Sequence, residues 1–519
     1  MSRRSLSFAA PFALALSLAS SLAPAQTAPP GAAPGAPPVA APGAPPVAAP
    51  GAPTAPATAA ATATPASGNG EDAPERKMIE TLEAKLQSMQ AGNGLTADEA
   101  ARRTLLNNPD VTAKQKSLAA ADATVDATRA DFYPKLGLQA SYTRLSNFTP
   151  PPIPFGPNGT NVDNPFPIIP NNYDARATLS VPLSDYVLRL SNAMASANHN
   201  KAAAKLDEQA TRVAVARDAR VYYYQWIRAQ WVSYVAAKAL EAARGHAQDA
   251  TSSFNAGLVS RADVLRTVSQ QKSAELGVAR SLNNVAIAAE QLRVQLADPA
   301  QTNYEIGENI MADLPPYAVP SSPGAGYAEA LEHRIEIRQL GESEAALREE
   351  AAVARAGNYP RLDARANAIY ANPNQRYVPT TAEWHGTWDA SIVLSWTPTD
   401  IFGATARAKN AEAHADEVAA RKATLKNALR LEVNQAMNAL AEATFGVDVS
   451  RDGRAAAEEN YRVRRELFRA GKATTVEVTD AETELTQARL QAVNAMMDVR
   501  IARVQLEHAL GRDVGSDGQ

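Results

Sequence analysis

The chain has 519 residues, 45% hydrophobic but only 6% aromatic, and its 51 basic and 55 acidic residues leave a net charge of -4. That balance provides no electrostatic footprint for nucleic-acid binding. The absence of cysteine excludes disulfides, thiolate metal sites, thiol nucleophiles and a lipid-modified cysteine anchor.

Residues 1–25 combine Arg3-Arg4, an apolar stretch from Leu6 to Leu22 and Ala23-Pro24-Ala25 as a cleavage site, which together read as a secretory signal peptide. No later window approaches the ~18 uninterrupted apolar residues that a membrane helix needs. Any membrane insertion is therefore expected to use β-strands. Residues 26–74 are rich in Pro, Ala, Gly and Thr, with tandem copies of one eight-residue unit at 33–40 and 41–48, and read as an extended linker. Residues 75–92 carry Ile79, Leu82, Leu86 and Met89 at helical spacing. So short an amphipathic helix needs a partner to be stable. Docking on the main body or on symmetry mates and a frayed terminal helix are the two readings of it.

An internal duplication begins at Leu95, with a first repeat over 95–298, a proline-rich strap over 299–326, a second repeat over 327–512 and a tail over 513–519. Thr96 is placed to cap a helix that Asn107-Asn108-Pro109 interrupts, and a second helix runs to about Asp131. Tyr133-Pro134-Lys135-Leu136 then ends the helical period, and Tyr359-Pro360-Arg361-Leu362 does the same in the second repeat. After each Tyr-Pro the period becomes two: Leu136, Leu138, Ala140 and Tyr142 in one repeat, and Leu362, Ala364, Ala366, Ala368 and Tyr370 in the other.

A partner strand returns across each loop, with Tyr173, Ala175, Ala177, Leu179 and Val181 on one side, and Trp388, Ala390, Ile392, Leu394 and Trp396 on the other. One apolar face, one polar face and aromatics near the strand ends match a transmembrane β-barrel, although half-buried soluble hairpins share the alternation. Four strands cannot close a barrel, so a barrel requires several chains. Of the loop aromatics, Phe155, Phe166 and Trp384 could narrow an outer mouth or simply pack on the surface.

The long segments from about Asp185 to Phe254 and from about Ile401 to Phe468 lack proline, and at about 1.5 Å per residue each reaches roughly 100 Å. Returning helices are expected over about Arg261–Ala297 and Thr475–Leu510, packed as antiparallel coiled-coil-like neighbours. The aromatic cluster Val221-Tyr222-Tyr223-Tyr224-Gln225-Trp226 reads as helix–helix packing. The six histidines form no paired ligand motif and read as solvated or packing groups. With no nucleophile–base pair, phosphate loop or metal cluster, the chain reads as neither an enzyme nor a cofactor protein.

The turns between the long helices are near copies. Phe254-Asn255-Ala256-Gly257-Leu258-Val259-Ser260-Arg261-Ala262-Asp263-Val264 is answered 214 positions later by Phe468-Arg469-Ala470-Gly471-Lys472-Ala473-Thr474-Thr475-Val476-Glu477-Val478. Each breaks a helical run at a glycine and opens the next with an acidic residue.

Taken as a set, the signal peptide, the duplicated helix–hairpin–helix unit, the paired Tyr-Pro motifs and the twin Ala-Gly turns resemble the TolC-like outer membrane efflux proteins over about 95–512. The resemblance implies an α/β membrane fold: a homotrimer whose chains each give four strands to one 12-stranded transmembrane β-barrel, continued by a long antiparallel α-helical periplasmic tunnel. It implies an exit duct in the outer membrane for a tripartite efflux pump or a type I secretion system. Its partners would be a periplasmic membrane-fusion adaptor and an inner-membrane pump of the RND or ABC type.

The resemblance assigns adaptor docking to the tips, Gly257, Leu258, Val259 and Ser260 with Gly471, Lys472, Ala473 and Thr474. It assigns the tunnel constriction to Glu477 and Asp480, with Asp263 as a further ring. Alternatively these carboxylates are ordinary helix-start residues favoured by the helix dipole. A basic gate residue that the family pattern puts at Ala473 is missing, with Lys472 and Arg469 nearby. A non-pore structural coiled-coil protein of the cell envelope is the alternative for the whole chain.

Overall fold

The computed structural model describes residues 94–146, 169–310, 312 and 314–512. The signal segment, the linker, the 75–92 helix, Phe155, Phe166 and the 513–519 tail lie outside them.

Helix α1 (Ala97–Asn107) starts where Thr96 accepts a hydrogen bond from the Glu99 amide. Asn108 then does two jobs: it ends α1, and its side chain accepts from the Asp110 amide at 2.8 Å to open α2 (Pro109–Ala130). Proline suits this first helical position because its missing N–H would have no partner there. The strands are β1 (Lys135–Arg144), β2 (Asn171–Val181), β3 (Arg361–Asn372) and β4 (His385–Ser395).

They form one antiparallel sheet in the order β1-β2-β3-β4, so the hairpins of the two repeats join through β2 and β3. The register puts Leu138 beside Ala177, Ala177 beside Ala368 and Ala368 beside Trp388. Directly opposed residues share a face, so this row is continuous across the sheet. Nothing among the described residues covers that face: Leu138 is 78% exposed, Trp388 77% and Ile392 72%. The opposite face is polar and internally bonded. Thr178 donates to Asn367 at 2.9 Å, and Asn367 donates to Asp389 at 2.8 Å. Near the loops, Trp384 stacks on Tyr370 with ring centroids 4.9 Å apart.

After β2, a π-helical turn at Tyr186–Leu190 leads into α3 (Ser191–Asn255, 65 residues). Its counterpart α7 (Asp400–Arg469) has 70 residues and follows β4 with no such turn. Each long helix is answered by a 36-residue return, α4 (Arg261–Leu296) and α8 (Thr475–Leu510). The second repeat opens with α5 (Pro323–His333) and α6 (Ile335–Arg355). Helix α5 starts inside the segment that proline content marks as strap, because Ser322 caps it and Pro323 again occupies a position needing no donor.

The strap is held by backbone pairing and arginines. Leu95 bridges Ile306, Arg500 donates to the Ile310 carbonyl at 2.8 Å, and Arg503 donates to Pro315 at 3.0 Å. Beneath it Tyr223, Trp226, Ile227, Leu292, Leu296 and Met497 form the main core, so the aromatic run on α3 is packing. Elsewhere the helices meet through alanine, as at Ala404, Ala408, Ala411 and Ala415 on α7. Small side chains let helix axes approach closely, and the low aromatic content of the chain reflects this.

Candidate functional site

The two tips are built alike, residue for residue. Helix α3 stops at Asn255, Gly257 takes φ +75°, and the amides of Gly257 and Leu258 donate to Phe254 and Ser253 at 2.9 Å each. At the end of α7, Gly471 takes φ +71°, and the amides of Gly471 and Lys472 donate to Phe468 and Leu467 at 2.9 and 2.8 Å. This paired pattern is the Schellman stop, and its left-handed position is why glycine stands there in both copies.

Three residues later each next helix opens with a capping box. Asp263 accepts from the Ser260 backbone amide at 3.0 Å while Ser260 Oγ accepts from the Asp263 amide. Glu477 accepts from the Thr474 amide at 2.8 Å while Thr474 Oγ1 accepts from the Glu477 amide. Two orphan amides are satisfied at each start, so the turn is rigid without any large side chain.

This geometry gives two of the three expected constriction residues a local task. Hydrogen bonds from Ser260 hold Asp263 below the usual carboxylate range. The Thr474 backbone amide does the same for Glu477, with Arg464 adding to it. Both carboxylates stay ionised as helix caps and keep their charge facing solvent. Asp480 is exposed one turn further on and takes no part in the cap. Among the residues expected to dock, Leu258 is 76% exposed, and a Cβ added at Gly257 or Gly471 would meet no atom within 4 Å. The tips thus present backbone, small side chains, one large apolar group and the cation Lys472. Arg469 at the end of α7 reaches Asp249 on α3 at 3.8 Å, tying the two hairpins together behind the tips.

A further cluster lies inside this end and was not visible in the sequence. His246 of α3, buried, places Nε2 3.0 Å from the Tyr461 hydroxyl of α7 and 3.4 Å from Glu482 Oε2 of α8. The three residues are far apart in sequence, and each taken alone looks like an ordinary helix residue. Burial pushes Glu482 up to about 7, whereas burial together with Arg465 and Arg469 pushes His246 down. No group of His, Asp or Glu able to hold a metal occurs among the described residues.

A sheet with one uncovered apolar face, carried on two duplicated pairs of long helices, is the build of an outer-membrane channel subunit. The family model for outer membrane efflux proteins matches residues 100–297 and 326–512, and the chain belongs to that family. It accordingly resides in the outer membrane, with its helical part in the periplasm. The outer membrane protein TolC of Escherichia coli is 23% identical over 436 residues, covering 81% of this chain and 83% of TolC. The CmeC outer membrane channel of Campylobacter jejuni superposes with a TM-score of 0.68 at 15% identity, covering 81% of this chain and 87% of CmeC. MtrE of Neisseria gonorrhoeae, solved in an open state, gives 0.66 at 16% identity, covering 82% and 90%.

Proposed function

We propose that three copies of this chain form a passive exit duct, a 12-stranded barrel continued by a periplasmic helical tunnel, that carries substrates delivered by an inner-membrane transporter and a periplasmic adaptor. The observation that carries this reading is the sheet. Its apolar face is uncovered and the outer edges of β1 and β4 have no partner strand among the described residues. Unpaired strand edges are not tolerated in hydrocarbon, and joining β4 of one copy to β1 of the next removes both edges. The duct does no chemistry of its own, since energy enters through the pump.

The tips Gly257–Ser260 and Gly471–Thr474 are the adaptor-docking elements in this reading. Asp480 is the best placed of the constriction carboxylates because it is exposed and free of the cap, and Glu477 and Asp263 add fixed negative charge beside it. Three-fold symmetry turns each position into a ring that favours cations. Conductance of the purified protein in planar bilayers tests the duct, with chemical cross-linking to count subunits. Stable single-channel steps from a trimeric species are expected; a cross-linked trimer that never conducts overturns the reading in favour of a structural envelope protein.

A further inference from the structure

Behind the tips, three helices meet at a buried acid–imidazole–phenol cluster that neither the cap nor the docking surface uses. Glu482 lies two turns inside α8 with its side chain 14% exposed, and the His246 side chain is 8% exposed. Tyr461 packs against Ala457, Leu485 and Ala488, the small apolar core that joins α7 to α8. The rings of His246 and Tyr461 meet edge to face, with centroids 5.8 Å apart. A single imidazole nitrogen, Nε2, faces both the hydroxyl and the carboxyl oxygen. That atom either carries one hydrogen or accepts one, so the pair across the α3–α8 contact is completed by a proton.

We propose that His246, Glu482 and Tyr461 form a proton-operated clasp, in which one proton held between the Glu482 carboxyl and His246 keeps α8 packed on α3 and α7 behind the tip, and loss of that proton loosens this end of the tunnel. The inference rests on the duct reading for its consequence at the entrance, though not for the clasp itself.

The surrounding charges decide where the proton sits. From α7, Arg465 and Arg469 disfavour a charge on His246, while Asp249 of α3 opposes them. Arg489 of α8 bridges to Glu458 of α7 at 3.6 Å, Arg244 of α3 reaches Glu275 of α4 at 3.9 Å, and Arg280 of α4 lines the same groove as Glu482. His246 is therefore kept neutral and the proton resides on Glu482, where it removes a charge from a largely buried site.

The direction with pH follows. An acid whose value is raised on folding contributes stability at low pH and loses it as pH rises through the raised value, here about 7. Above that point an ionised carboxylate is left in a poorly solvated position. At the acid end, protonation of His246 below its depressed value opposes the same packing. The clasp is tightest between these limits.

The test is amide hydrogen exchange over 478–490 in the purified full-length protein, corrected for intrinsic pH dependence, from pH 5.5 to 8.5, with conductance recorded on the same preparations. Wild-type protection is expected to fall as pH rises toward about 7, by at most ~tenfold per pH unit for one proton, and to level off above it, with channel opening rising over the same range. Glu482→Gln should stay protected and lose the slope in both readouts. A flat wild-type exchange profile, or Glu482→Gln with the wild-type slope, overturns the clasp. Should that variant not fold, the wild-type profile and His246→Gln decide in its place. Exchange that follows pH while conductance does not overturns the gating consequence alone. A trimer that conducts at no pH rejects the duct reading, and the exchange profile still judges the clasp.

Discussion

Arg464 donates through Nη1 to Glu477 Oε1 at 3.0 Å, so the carboxylate that closes the second capping box also ties α8 to the helix before the turn. At the first tip the equivalent position is Ala250, which offers Asp263 no charge. The tips share a backbone and differ in fastening. Arg464 supplies a cationic anchor at the second tip that the first tip lacks.

Removing the caps should fray the tips locally. Ser260→Ala and Thr474→Ala are each expected to lower the opening free energy of the adjacent helix start by about 1 kcal/mol, read as faster amide exchange at 260–263 or 474–477. Arg464→Ala should increase exchange at the second tip and leave the first unchanged. Equal effects at both tips would contradict the asymmetry.

Acid should do the same by titration. Asp263 and Glu477 are held below their ordinary values by cap hydrogen bonds. A depressed acid contributes stability above its unfolded value and loses it as pH falls through the folded one. Tip protection should therefore be constant from neutrality to about pH 5 and decline below roughly pH 4. This window lies at the opposite end of the scale from the Glu482 response, so one pH series separates the two devices.

In the proposed duct, docking and selectivity divide between different side chains. Leu258→Asp, at an apolar position that is 76% exposed, should abolish cross-linking to the adaptor while leaving the trimer intact. Gly257→Pro should do so by breaking the turn, since proline cannot take φ +75°. Replacing Glu477 and Asp480 together by Ala should weaken block by multivalent cations. Asp480→Ala alone should account for more of that loss than Glu477→Ala, because Glu477 is engaged in the cap.

The strap should respond to Arg500, which donates to the Ile310 and Ala312 carbonyls at 2.8 and 3.2 Å. A hydrogen bond involving a charged group contributes about 1.5–3 kcal/mol. Arg500→Leu should free 299–322 from the helical body, visible as new protease cleavage there. Unaltered resistance would assign the anchoring to Arg503 and to Arg512, which donates to the Ala318 carbonyl.

Much of the fold was legible because its signals are local. The twin tips, the C-terminal end of α3 and both ends of α4, α7 and α8 agree with the sequence to within about a residue, since glycine, proline and capping side chains act over one turn. The strands were legible from period-two alternation. The π-helical turn after β2 was not, for its residues carry the same propensities as any helix start. The local task of Asp263 and Glu477 was anticipated only as an alternative, because a carboxylate three residues past Ser or Thr fits a cap and a lumen ring equally well.

By itself the sequence determined the duplication, the element lengths, the apolar alternation of the strands and the paired stops at Gly257 and Gly471, all set by interactions within a few residues of chain. Only the tertiary structure decided that β2 pairs with β3 to merge the hairpins, that Arg464 fastens one tip and not the other, and that His246, Tyr461 and Glu482 share one buried contact. These are contacts between helix faces and strand edges, some more than 200 residues apart. Their partners are chosen by packing and desolvation, which no local pattern encodes.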